Sequence, residues 1–159
     1  MALPPSYATV LAAQRLLMKV EAAAFHAEMF RAQREQYGAR LRETVEMGLV
    51  ISSVDYLRVQ RVRRWFQQEI PQMFTDVDIL VTPSTPAPAP RDLNTTGDAR
   101  FQAPWSHGGV PTITLPTGLS QGGMPLGIQL IAPALEEERL LRMARWCERT
   151  LDVTLAPPL

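Results

Sequence analysis

Side chains able to do covalent chemistry are few and far apart in these 159 residues. There is one cysteine, Cys147, one lysine, Lys19, and two histidines, His26 and His107. A serine or cysteine nucleophile needs a base to activate it, and the chain contains no G-x-S-x-G, no S-x-x-K and no cysteine with a local histidine signature. Two histidines and no H-E-x-x-H or C-x-x-C leave no donor set for zinc. Phosphate-cradling glycine motifs are absent as well. Asp76 with Asp78 reads as a strand entry, and Glu136, Glu137 and Glu138 complement a helix dipole at its N-terminus. His26 lies in a helical stretch without a titratable partner in sequence, and Cys147 reads as a small buried hydrophobe. Read by themselves, the residues predict no catalytic group, metal or cofactor in the chain.

Binding chemistry is concentrated elsewhere. Between Phe101 and Gly109 two large aromatics, Phe101 and Trp105, stand beside Ser106, His107 and a Gly-Gly backbone, in a stretch that reads as a loop. Apolar walls with a few polar groups suit a small-molecule pocket. The same residues would serve equally as an aromatic plug over the end of a sheet. Composition leaves both readings open.

The elements that must carry this stretch follow from periodicity and punctuation. Ser6 after Pro4-Pro5 reads as a helix cap, and no Gly or Pro interrupts Tyr7 to Tyr37, which predicts a helix over residues 6–37 with Val10, Leu17, Val20, Ala24 and the Phe25/Met29 pair on its apolar face and Gly38 just past its end. A short helix is expected from Leu41 to Met47, stopped at Gly48. Ser52 or Ser53 caps a second long helix, residues 53–70, in which Val59, Val62, Trp65, Phe66 and Ile70 keep helical spacing and Pro71 ends or kinks the run. Strands are expected near residues 78–82, 110–115 and 126–131, the first with a continuous Ile-Leu-Val centre typical of burial on both faces. A proline- and alanine-rich loop follows the first strand, a glycine-rich turn joins the other two, and a final helix covers residues 135–150. The fold class is α/β, with long helices flanking a small mixed sheet in one domain, residues 1–159.

Composition removes several classes of function. Sixteen basic residues balance sixteen acidic ones, so no global field draws nucleic acid or an anionic membrane, and nucleic acid is not an expected partner. No apolar run reaches the roughly 20 residues of a membrane span. A single cysteine and no secretory leader pattern make the cytoplasm the expected compartment. Arg58, Arg61, Arg63 and Arg64 on the second long helix read as a solvated face, or as the binding face of a non-enzymatic interaction module.

Taken in order, DILVTPSTPAPAP, then FQAPWSHGGVPTITLPTG, then GGMPLGIQLIAP before an acidic helix start resemble the C-terminal third of the amidase signature family. The upstream SSVDYLRVQRVRRWF is similar to that family's D-Y-x-x-A-x-x-x-R helix. The resemblance runs from about Ser6 to Arg149, and the pairing of G-x-P with G-x-P-x-G-x-Q at this spacing is its specific part.

The resemblance implies a larger α/β/α fold around a mixed sheet, and amide hydrolysis or amide transfer by a serine nucleophile, a bridging serine in a cis peptide and a lysine base. Those groups belong to a Gly/Ser-rich signature that this sequence lacks, and Lys19 lies outside any such run. The expectation is therefore a C-terminal fragment, inactive alone, of an amidase or of the related A subunit of a tRNA-dependent amidotransferase. By resemblance Phe101, Trp105, Ser106 and His107 line the channel for a small-molecule amide substrate, with Ser106 standing where the family commonly has Asn and His107 where it often has a small apolar residue. Strands deprived of neighbours would expose edges, so a homo-oligomer is expected.

Overall fold

The computed structural model describes residues 3–92 and 94–155. The 159 residues, read above as one domain, group into two compact units: residues 5–66, and residue 67 onward together with Leu3 and Pro4.

The first unit is helical. α1 (Tyr7–Gln33) gives way to a 3-10 turn at Arg34–Gln36, so it is shorter than expected, and Gly38 precedes the next helix instead of closing this one. The reason is Tyr37. Its ring packs edge-on against Phe30 at 5.1 Å and His26 at 5.4 Å, and its hydroxyl meets His26 Nδ1 at 3.0 Å, which folds the chain back along α1. The buried face of α1 is Val10, Ala13, Leu17, Ala23 and Phe30; Phe25, expected to be covered, is 81% exposed. α2 (Ala39–Val50) runs straight through Gly48, which was expected to end it. A Cβ on Gly48 would stand 2.0 Å from the Lys19 carbonyl oxygen and 2.7 Å from Ala23 Cβ, so this glycine permits close helix contact. α3 (Ser53–Glu69) starts at Ser52, whose Oγ accepts the Asp55 N–H at 3.1 Å and donates to the Asp55 carboxylate at 2.7 Å. Val59 packs on Ala13 and Leu17, and Phe66 is fully buried with Tyr7 edge-on at 6.1 Å.

The second unit is a three-stranded sheet backed by a helix. Pro71 falls in a 3-10 turn, Ile70–Phe74, after which β1 (Leu80–Pro83), β2 (Thr112–Leu119) and β3 (Pro125–Ile131) pair in the order β1-β3-β2. Both ladders are antiparallel where a mixed sheet was expected. Ile113, Leu115, Ile128 and Leu130 share one face and pack on Leu140, Ala144 and Cys147 of α5 (Glu137–Leu151). The register places Thr82, Gln129 and Thr114 in one row on the opposite face. β1 is an edge strand with Val81 59% exposed, so within this chain it is not buried on both faces. β2 continues past Leu115, where it was expected to stop. Pro116 is accommodated because β2 too is an edge strand, and an irregularity between Pro116 and Gly118, with Gly118 at φ 139°, absorbs the misfit. Asp78, just before β1, meets Arg139 of α5 at 3.2 Å, an exposed pair that adds little stability.

Candidate functional site

The stretch read as a loop contains a six-residue helix, α4 (Ala103–Gly108). Pro104 lies in its first turn, where no backbone N–H is needed. Gly109 ends it at φ 75°, and the N–H groups of Gly109 and Val110 both donate to the Trp105 carbonyl, at 2.8 and 3.2 Å. Sequence reasoning missed the helix because one turn and a half carries too little periodicity to register.

Of the four residues singled out, Trp105 and His107 are buried, at 2% and 1% exposure, while Phe101 is half-buried and Ser106 is exposed. Trp105 faces a cavity of about 310 Å³ shared with Met73, Ile79, Leu80 and Thr82. A larger groove of about 570 Å³ runs beneath the proline-rich loop, between Ser84, Pro86, Pro88, Thr114 and Leu126. None of the four predicted residues lines it; Gln102 and Asp98, just before α4, do. Gly127 lets this loop approach β3, since its Cβ would stand 3.1 Å from Ser84 Oγ and 2.9 Å from the Leu115 carbonyl, and the Ser84 N–H donates to the Gly127 carbonyl at 2.9 Å.

Two residues that sequence reasoning passed over hydrogen-bond to the backbone at and just before the ends of α4. Gln129, 2% exposed in the middle of β3, donates from Nε2 to the Phe101 carbonyl at 2.8 Å and to Thr82 Oγ1 at 3.2 Å. Gln67 donates from Nε2 to the Gly108 carbonyl at 3.1 Å. The signal for Gln129 was present in the sequence: it is the single strong hydrogen-bonding side chain inside the apolar run LGIQLI.

Among the described residues of α4 and the two cavities, no nucleophile stands beside a lysine base. Lys19 belongs to the helical unit, its Nζ 3.3 Å from Met47 Sδ. No cluster of three His, Cys, Asp or Glu among the described residues could hold a metal. The Arg-rich helix face is partly neutralised: Arg58 pairs with Asp55 at 3.1 Å and Arg63 approaches Glu21 at 4.0 Å, while Arg58, Arg61 and Arg64 are all exposed. Among the described residues no helix is long and apolar enough to cross a membrane.

A family model described as Amidase matches residues 3–141. This chain belongs to the amidase family. It is 34% identical over 139 residues to an amidase of Pseudomonas putida, covering 79% of this chain and 30% of the relative. It is 35% identical over 133 residues to the A subunit of the Glutamyl-tRNA(Gln) amidotransferase of Parvibaculum lavamentivorans, covering 76% of this chain and 27% of that protein. A crystal structure of an amidase superposes with a TM-score of 0.81 at 28% identity, covering 89% of this chain and 35% of that one. The chain thus spans less than a third of the length of the two amidase family relatives just named, one an amidase and the other part of an amidotransferase.

Proposed function

We propose that these residues are the substrate-side, C-terminal portion of an amide-cleaving acyl-transfer enzyme whose nucleophile and base lie outside them. The observation that carries the reading is a family match over residues 3–141 in a chain that spans only 27% and 30% of two relatives. In the reaction the family resemblance implies, a serine oxygen bonds to the amide carbonyl carbon, the C–N bond breaks, and the amine leaves with a proton from the base. Water then releases the acyl group as an acid, or an amine acceptor takes it. This chain's contribution is a wall of the channel. Ser106 and Phe101 are the side chains proposed to meet the amide, and buried Trp105 and His107 hold them from behind. The small-molecule amide binds without a cofactor.

The test is complementation. The chain is mixed with the part of the Pseudomonas putida amidase that it does not match, and ammonia release from propionamide is followed. Neither piece alone is expected to release ammonia, and the mixture is. Release by the chain alone would overturn the reading, as would a silent mixture when the relative's own missing third restores activity. Similarity to part of an amidotransferase supports amide transfer as the second reading. Glutamine turned over in preference to propionamide by the same mixture favours it.

Self-association is proposed on separate grounds, because among the described residues β1 and β2 each have only β3 as a ladder partner. A monomer by light scattering at micromolar concentration would refute it.

A further inference from the structure

α4 is too short to hold its own shape, because six residues scarcely repay the cost of nucleating a helix. What fixes it comes from outside. The carbonyl of Phe101, before its first turn, accepts from Gln129 Nε2 at 2.8 Å, and the carbonyl of its last residue, Gly108, accepts from Gln67 Nε2 at 3.1 Å. The tie at Gln129 is built into the sheet. Both N–H bonds of that amide are used, the second on Thr82 Oγ1 of β1 at 3.2 Å, in a site 2% exposed. Burying a primary amide is costly unless its donors are satisfied, so the position tolerates Gln only with Phe101 and Thr82 where they are.

We infer that Gln129 and Gln67 are positioning residues that set where α4 lies, and through it where Ser106 and Phe101 stand in the amide site; this last step rests on the function proposed above. The clamp is specific in its chemistry. The Phe101 and Gly108 carbonyls can only accept, so both ties demand a donor. Glu at position 129 keeps the size and, when protonated, can give one O–H to Phe101. Ionised, it donates nothing and sets a negative charge against a carbonyl oxygen.

The experiment uses the full chain with Trp65 and Trp146, both exposed, changed to Phe so that Trp105 is the single tryptophan, excited at about 295 nm, where tyrosine hardly absorbs. Acrylamide quenching of Trp105 and amide exchange at Ser106, Gly109 and Val110 are read in the parent, Gln129→Glu, Gln129→Met and Gln67→Ala. At pH 8 Gln129→Glu is expected to exchange these amides at least tenfold faster than the parent and to quench more readily. Acidification that protonates the new carboxyl should restore parental behaviour, whereas Gln129→Met stays open at both pH values. Parent measurements at both values subtract contributions from the native side chains, the ionisable ones on and just before α4 being His107, Asp98 and Arg100, of which Arg100 stays charged beside Asp98. Gln67→Ala, whose side chain is largely outside the core, should loosen Gly109 and Val110 alone, so the clamp can be tested even if a Gln129 variant fails to fold. Equal loss of protection across β2, β3 and α4 would overturn the proposal, making Gln129 a filler of the sheet; so would a Gln129→Glu variant indifferent to pH. In the complemented enzyme, kcat/KM unchanged by a displaced α4 would instead refute the substrate reading and leave the clamp standing.

Discussion

Replacing Gly48 by Ala is the sharpest test of how the helical unit is packed. On helix propensity alone the change stabilises, since Ala exceeds Gly by about 1 kcal/mol in a helix interior. Packing opposes it. The new methyl carbon would lie 2.0 Å from the Lys19 carbonyl oxygen and 2.7 Å from Ala23 Cβ, whereas even close C···O contacts are about 3.3 Å. The obstacle is a helix backbone, which cannot swing aside as the tip of a side chain does, so α2 must move off α1 by on the order of 1 Å and loosen Val45 against Ala23 and Phe30. Overpacking of this kind costs about 1–3 kcal/mol, and a backbone obstacle puts Gly48→Ala at the upper end. About 3 kcal/mol against a gain of about 1 leaves a net loss of about 2 kcal/mol. Unfolding followed by circular dichroism at 222 nm in urea reads the difference, with exposed Glu43→Ala on the same helix as a control that should stabilise by a few tenths of a kcal/mol, roughly. A Gly48→Ala protein as stable as the parent, or more so, would refute the close-packing argument.

Two further perturbations address other links. Hydrogen bonding from Ser52, then Arg58, holds the Asp55 carboxyl below its ordinary value. A depressed acid stabilises the fold above its unfolded pKa of about 4, and that contribution is lost as pH falls through the lower folded value. Ser52→Ala should therefore return the Asp55 titration, followed by NMR, toward the ordinary carboxyl value and cost about 1 kcal/mol for the lost cap; an unshifted titration would count against the Ser52 contact. Gly109→Ala should cost about 1 kcal/mol in urea unfolding, because the nearest obstacle to a Cβ is an ordinary 3.8 Å contact with Gln67 Nε2 and the penalty lies in φ 75° alone. A loss several times larger would mean that the contact is tighter than the structure shows.

Residue order alone was enough to place the long helices and, within a few residues, the three strands, because each rests on local physics: uninterrupted helix formers in α1, short apolar runs punctuated by prolines in β2 and β3, and a hydroxyl cap at Ser52. The family pattern was legible for the same reason, since its glycines and prolines are backbone requirements written one residue at a time. Gly48 shows the limit of that reading. Locally it is a helix stop, and only the approach of α1 makes it a helix interior.

The candidate site depended on contacts across the chain. Position 107 gave His as a polar group in a loop, while the folded chain buries it at 1% exposure on a helix too short for periodicity to announce. The hold on that helix comes from Gln67 and Gln129, 41 and 28 residues from the carbonyls they meet. Sequence determined which segments would be helix or strand and what family they came from, since those follow from neighbours in the chain. Tertiary structure alone decided which side chains around α4 are buried and which partners they meet, because a hydrogen bond between distant residues leaves no period in the sequence to be read.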